Sequence, residues 1–269
     1  MFEKTLIPVA YGEKPEELEK IGKILRTFES QSICLIHVSE GSSFLSDSDD
    51  TWLKELKEIL EEIGYTVEIR MGHDHIASAI ADAALQEGVD EIYIKSKRRW
   101  HIETMLLGSI ARDLVRLSDI PVFVHKLRPR LPGPEDGVIS RLDLIILYAT
   151  EFDEASIRPI PYLKDFRGAR CHIVHIRQRR ADPVSEQIQK DDIEKRLRAV
   201  EEELGPYYPE VTSEQRVGNP AKEILRIAEE IRADVIVLGR RRRAFLAAPM
   251  GETPEMIVIG SKASIFLVP

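Results

Sequence analysis

Apolar residues in the first half of the chain follow two alternating patterns. The run TLIPVA near the start is short and continuous, as in a strand buried on both faces. Leu18, Ile21, Ile24, Leu25 and Phe28 then recur at helical spacing and predict an amphipathic helix. SICLIHV reads as a second buried strand. Leu53, Leu56, Ile59, Leu60 and Ile63 read as a second helix that Gly64 ends, and TVEIRMG as a third strand. A third helix is expected over Ile76 to Gln86, followed by the strand EIYIKS, a basic loop, a helix beginning near Gly108 and a last strand, PVFVHK. Strands alternating with helices imply a mostly parallel sheet covered on both faces.

The second half repeats this order. DLIILYAT answers the first strand and CHIVHI the second, with His175 standing against His37. RVGNPAKEILRIAEEIRADVIVLG answers RMGHDHIASAIADAALQEGVDEIYIK, with Gly239 against Lys95. Between the halves, LRPRLPGPEDGVIS carries Pro129, Pro132 and Pro134 and reads as an exposed linker. The expected organisation is a first domain over residues 1–127, a linker over 128–140 and a second domain over 141–269. A repeat this long means duplicated domains, since solenoid repeats are much shorter.

Composition fits that division. A chain of 269 residues suits two domains, and 43% hydrophobic residues suffice to build their cores. The net charge of −8 disfavours general binding to nucleic acid or to an anionic membrane. Cys34 and Cys171, one in each half, lie in apolar runs and read as buried free thiols in a reducing cytosol. No run of about 18 apolar residues is available to span a bilayer, and MFEKTLIPVA does not resemble a secretory leader, so a cytoplasmic protein is expected. Asn219 is the only asparagine, a bias that leans toward a heat-adapted source.

The strings VGNPAKEILRIAEEIRADVIVLGR and LLGSIARDLVRLSDIPVFV resemble the universal stress protein family, and the resemblance covers nearly the whole chain in two copies. It implies two Rossmann-like (adenine nucleotide alpha hydrolase-like) α/β domains, each a five-stranded parallel sheet flanked by helices, in a pseudo-two-fold pair joined through the last strands. In the family, strand four is followed by Gly, two residues, Gly, nine residues and Gly-Ser or Gly-Thr, while an Asp ends strand one; members with all these parts bind ATP. Glycines let backbone amides approach phosphates, and the positive end of a helix favours them. The first copy has Lys95 and Arg98 at the leading glycine positions, keeps Gly108 and Ser109, and has Ala10 where the Asp belongs. The second keeps Gly239, has Arg242 at the second glycine, reaches Gly251 one residue early and follows it with Glu252, and is read with Ala149 at the Asp position. A carboxylate at a phosphate-binding helix start fills the anion position itself.

The candidate ligand residues are therefore Ala10, Lys95, Ser96, Arg98, Gly108 and Ser109 in the first copy, and Gly239, Arg240, Arg242 and Gly251 in the second. They belong at the carboxyl ends of strands one and four, where open α/β sheets leave a crevice. The basic loops KSKRRWH and GRRRRAF offer cations, with Trp100 and Phe245 for stacking, to a small anion, RNA or an acidic partner; solvated turns are the alternative. His37 and His175 read as core histidines bonded to backbone. Asp74, between His73 and His75, reads as a helix cap in preference to a metal ligand. No catalytic or metal-binding set is assigned, and ATP is the one candidate cofactor. The expected function is a non-catalytic stress-response or regulatory protein with ordinary ATP binding weakened. The alternatives are a nucleotide or anion sensor acting through the first domain, and a scaffold for a protein or RNA partner. Beyond the internal domain pair, a homo-oligomer or a regulatory protein partner is left open.

Overall fold

A computed structural model of the protein describes residues 2–39, 47–73, 75–96, 109–126, 143–241 and 252–269. Arg98, Gly108, Arg242 and Gly251, both basic loops with Trp100 and Phe245, Asp74 and the linker over 128–140 lie outside the described residues. The chain divides into two compact units, the first built largely from Met1–Ser96 and Gly108–Phe123 and the second from Ser140–Pro269.

In the first half of the chain the elements run β1 (Lys4–Pro8), α1 (Pro15–Thr27), β2 (Ser32–Ser39), α2 (Asp47–Glu62), β3 (Thr66–His73), α3 (Ile76–Gln86), β4 (Glu91–Ser96), α4 (Ser109–Leu117) and β5 (Val122–Lys126). Their order in the sheet is β3-β2-β1-β4-β5, and β1 pairs in parallel with both β2 and β4. The apolar periodicity explains the layers. Leu18, Ile21 and Leu25 of α1, and Leu53, Leu56 and Leu60 of α2, are buried against a sheet whose Leu6, Ile33, Cys34 and Leu35 are fully enclosed. Gly22 lets α1 and α2 approach closely: a Cβ there would lie 2.6 Å from Ile63 and 3.0 Å from Leu60. Gly64, at φ +91°, supplies the left-handed residue that turns the chain from α2 into β3. The N-cap position of α3 is His75, whose side chain makes no cap bond.

The second unit runs β6 (Ile145–Ala149), α5 (Glu154–Ile157), α6 (Ile160–Phe166), β7 (Arg170–Arg177), α7 (Pro183–Leu204), a 3₁₀ turn (Gly205–Tyr207), β8 (Glu210–Val217), α8 (Pro220–Glu230), β9 (Val235–Gly239), α9 (Glu252–Gly260) and β10 (Ser264–Val268). The strand order, β8-β7-β6-β9-β10, repeats that of the first unit, and β6 lies parallel to β7 and β9. Where the first unit has the single helix α1, the second has α5 and α6. Pro159 and Pro161 explain the break, since neither can donate the amide bond that a continuing helix requires. The long α7 buries Ile193, Leu197, Val200 and Leu204 along one face.

Hydrogen bonds mark equivalent positions in the two copies. The Lys4 amide donates to Asp90 Oδ2 at 2.9 Å, and the Ile145 amide donates to Asp234 Oδ2 at the same distance. In each sheet the order reverses between strands one and four, which leaves the crevice of an open α/β sheet at their carboxyl ends.

Candidate functional site

The segment after β1 shapes the first crevice. His37 Nδ1 bonds the Val9 carbonyl at 3.0 Å, and the Glu13 amide donates to the Ala10 carbonyl at 3.0 Å, with Gly12 at φ +79° inside that turn. Trp52, on α2, donates its indole N–H to the Glu13 carbonyl at 3.1 Å and packs against Tyr11 and His37. Lys95 occupies the end of β4, and its ammonium bonds the Glu13 carboxylate and, at 2.8 Å, Glu17 Oε2. The Lys95 and Glu13 side chains are only 16% and 9% exposed, so this pairing is shielded from solvent. Ala10 is exposed, Ser96 is the last residue of β4, and Ser109 is the first of α4.

The corresponding segment of the second unit carries more polar chemistry. His175 Nδ1 bonds the Thr150 carbonyl at 2.9 Å, and its ring stacks on Phe152. Both strand-two histidines therefore hold the backbone at the end of strand one, as expected from sequence. Burial lowers the pKa of His175, with the Thr150 carbonyl opposing. Asp153 caps α5 in a capping box: its Oδ1 accepts the Ser156 amide at 2.8 Å while its own amide donates to Ser156 Oγ. Burial pushes the Asp153 carboxyl upward, but the Ser156 bonds and the Arg241 guanidinium outweigh it and hold the pKa below the usual value. Arg241, just beyond β9, donates Nε to Asp153 Oδ2 at 2.8 Å and Nη2 to Glu151 Oε2 at 3.3 Å.

The strand registers correct one sequence assignment. Pro8 pairs with Ile36 and Ala149 with Val174, and the amides of Val9 and Thr150 both return to strand two. Ala149 is thus the counterpart of Pro8, and the counterpart of Ala10 is Glu151. The second copy keeps an acidic residue at the end of strand one, where Ala149 had been expected to replace it. The signal was present in LYATEF, whose Glu follows the strand two residues after Ala149, but the segment between strands one and two is three residues shorter in this copy and hides the alignment.

These elements enclose a cleft of about 200 Å³ at the carboxyl ends of β6, β7 and β9. Its lining includes the apolar Val174, Ile176, Ile224 and Leu238 and the polar Thr150, Glu151, Asp153, Ser156, Arg240, Arg241 and Thr253. The Arg240 amide donates to the Val268 carbonyl at 2.6 Å. Of the ten candidates, the structure brings Ala10 and Lys95 to one crevice and Gly239 and Arg240 to the other. Arg98, Gly108, Arg242 and Gly251 lie outside the described residues. Glu13, Glu17, Glu151, Asp153 and Arg241 are the polar groups that pattern reading did not single out together.

A family model described as the universal stress protein family matches residues 3–126 and again 145–269. Universal stress protein MJ0577 of Methanocaldococcus jannaschii is 25% identical over 157 residues, which span 47% of this chain and 96% of the relative. The fold resembles that of a universal stress protein from Archaeoglobus fulgidus, with a TM-score of 0.74, 23% identity, and coverage of 99% of this chain and 98% of that one. A Pseudomonas aeruginosa protein of unknown function, PA1789, matches with a TM-score of 0.73 and 19% identity over 99% of this chain and 92% of that one. With two matched regions that together span nearly its whole length, the chain belongs to the universal stress protein family as a tandem of two copies.

Proposed function

We propose that the protein is a non-catalytic regulatory member of the universal stress class in which ordinary ATP binding is weakened. The observation that carries this reading is the ion-pairing of Lys95, which stands at a leading glycine position and is held by Glu13 and Glu17. A cation already compensated by two carboxylates offers little net attraction to a phosphate, and any ligand must first break those contacts. Arg241 is compensated in the same way by Glu151 and Asp153. Buried free Cys34 and Cys171, with burial raising their thiol pKa values to about 11 and about 12, suit a reducing, cytoplasmic setting. The test is analysis of a denatured extract of purified protein for nucleotide, paired with calorimetric titration of ATP and Mg²⁺ and an assay of ATP turnover. A blank extract with weak or absent heat and no turnover is expected; nucleotide near one per chain, or robust hydrolysis, overturns the reading.

One observation favours a sensor acting through the first domain. Ser109 opens α4, so its amide lies at the positive end of that helix. Under this second reading the same extract yields nucleotide, and Ser109→Pro, which removes the amide, abolishes its retention.

A further inference from the structure

We infer that the first half of α7, Pro183–Asp192, is the surface on which a second copy of this chain docks, the two helices lying antiparallel across a two-fold axis with Val184 and Ile188 of both at the centre. This goes beyond the weakened-ATP reading and does not depend on it. α7 has 22 residues where its counterpart α2 has 16, and its buried residues, Ile193, Leu197, Val200 and Leu204, all lie in its second half. The first half therefore covers no core. Val184 stands nine residues before Ile193, about two and a half turns, so it projects from the face opposite the buried stripe, and Ile188 follows it one turn on. Val184 is 67% exposed and Ile188 64%, which makes them an apolar pair turned to solvent.

Polar contacts hold this exposed half in place. Arg177, at the end of β7 with its side chain 7% exposed, donates Nη1 to Glu186 Oε1, and Glu186 Oε2 accepts the Arg180 amide at 2.7 Å. Gln215 of β8 donates Nε2 to the Lys190 carbonyl at 3.0 Å, and Asp182 caps the helix by accepting the Ser185 amide at 2.7 Å. A face fixed in this way loses little freedom on docking.

Charge identifies the occupant. Arg179 and Arg180 precede the helix and Asp191 and Asp192 end its first half, all four exposed, so the apolar pair lies between a basic end and an acidic end. In an antiparallel pair centred on residue 186, Val184 of each copy meets Ile188 of the other, and Arg179 and Arg180 face Asp191 and Asp192 of the partner subunit at both ends. The opposed helix dipoles favour the same arrangement, whereas a parallel pairing would set like charge against like. Asp192 accepts Arg196 Nε at 2.9 Å and Asp191 accepts the Gln187 side-chain amide at 2.7 Å, surface contacts that exchange for the new pairs at small cost. The contact spans about three turns of each helix, so the dimer is weak and concentration-dependent.

Sedimentation velocity of the full chain across the micromolar range tests this, with three variants: Ile188→Lys, the basic pair reversed (Arg179→Glu with Arg180→Glu) and the acidic pair reversed (Asp191→Lys with Asp192→Lys). All these positions are exposed, and a urea midpoint checks that each variant folds. A reversible dimer is expected, weakened roughly ten-fold or more by each variant alone. An equal mixture of the two charge-reversed variants should dimerise again, because each supplies the sign that the other has lost. A wild-type chain that stays monomeric throughout overturns the inference and leaves the face to a different partner. A dimer that Ile188→Lys leaves intact, or a mixture that stays monomeric, also overturns it.

Discussion

Gly239 and Ala155 meet backbone to backbone: a Cβ on Gly239 would lie 2.6 Å from the Ala155 carbonyl carbon, 2.8 Å from Ser156 Cα, and closer still to the Ala155 oxygen. The glycine that reads in sequence as part of a phosphate loop thus seats α5 on the end of β9. Gly239→Ala is expected to destabilise the second unit by about 3 kcal/mol, the upper range for overpacking where backbone must shift. Urea denaturation of the variant checks this, and an unchanged midpoint would show that α5 can yield.

Lys95 and Glu13 form a shielded pair with Glu17 at its edge. Lys95→Met leaves the Glu13 carboxylate nearly enclosed without its cation and should cost about 2 kcal/mol, while adding Glu13→Gln should restore most of it. A double-mutant cycle on urea midpoints reads the coupling directly. Additive effects would mean that Lys95 is not committed to Glu13.

Glu91, at the start of β4, is buried, accepts the Thr5 hydroxyl at 3.2 Å and has neighbouring Asp90; burial raises its pKa from 4.5 to about 8. Between those two values the folded protein keeps the proton that the unfolded chain has lost. Stability therefore falls as pH rises through that window, by up to about 1.4 kcal/mol per pH unit. Glu91→Gln should flatten this dependence between pH 5 and pH 8, and an identical slope in variant and wild type would remove Glu91 as its source.

Cys34 and Cys171 are fully buried, and burial raises both thiol pKa values. Neither should react with a thiol reagent at pH 7 until the protein unfolds, and both should label in denaturant. Rapid labelling of native protein would indicate local opening of β2 or β7.

Strand and helix order, the duplication and the family were legible because they rest on local pattern. The apolar period of Leu18, Ile21 and Leu25, the continuous run at Ile33–Ile36, and the recurrence of VGNPAKEIL against MGHDHIASA are properties of neighbouring residues. His37 and His175 were equally readable, since a histidine at the end of a buried strand has few partners besides nearby backbone.

The chemistry of the crevices was legible only in part. Lys95 stood out as a cation, yet its meeting with Glu13 and Glu17 depends on where α1 begins beside β4. Glu151 was obscured by a three-residue difference in segment length, which only the pairing of Ala149 with Val174 resolves. The sequence by itself thus determined the two α/β units, their buried faces and the family. Tertiary structure decided that Gly239 packs against Ala155 and that Arg241 faces Glu151 and Asp153, because contacts between residues some 90 positions apart are set by sheet register and helix seating, which no local period encodes.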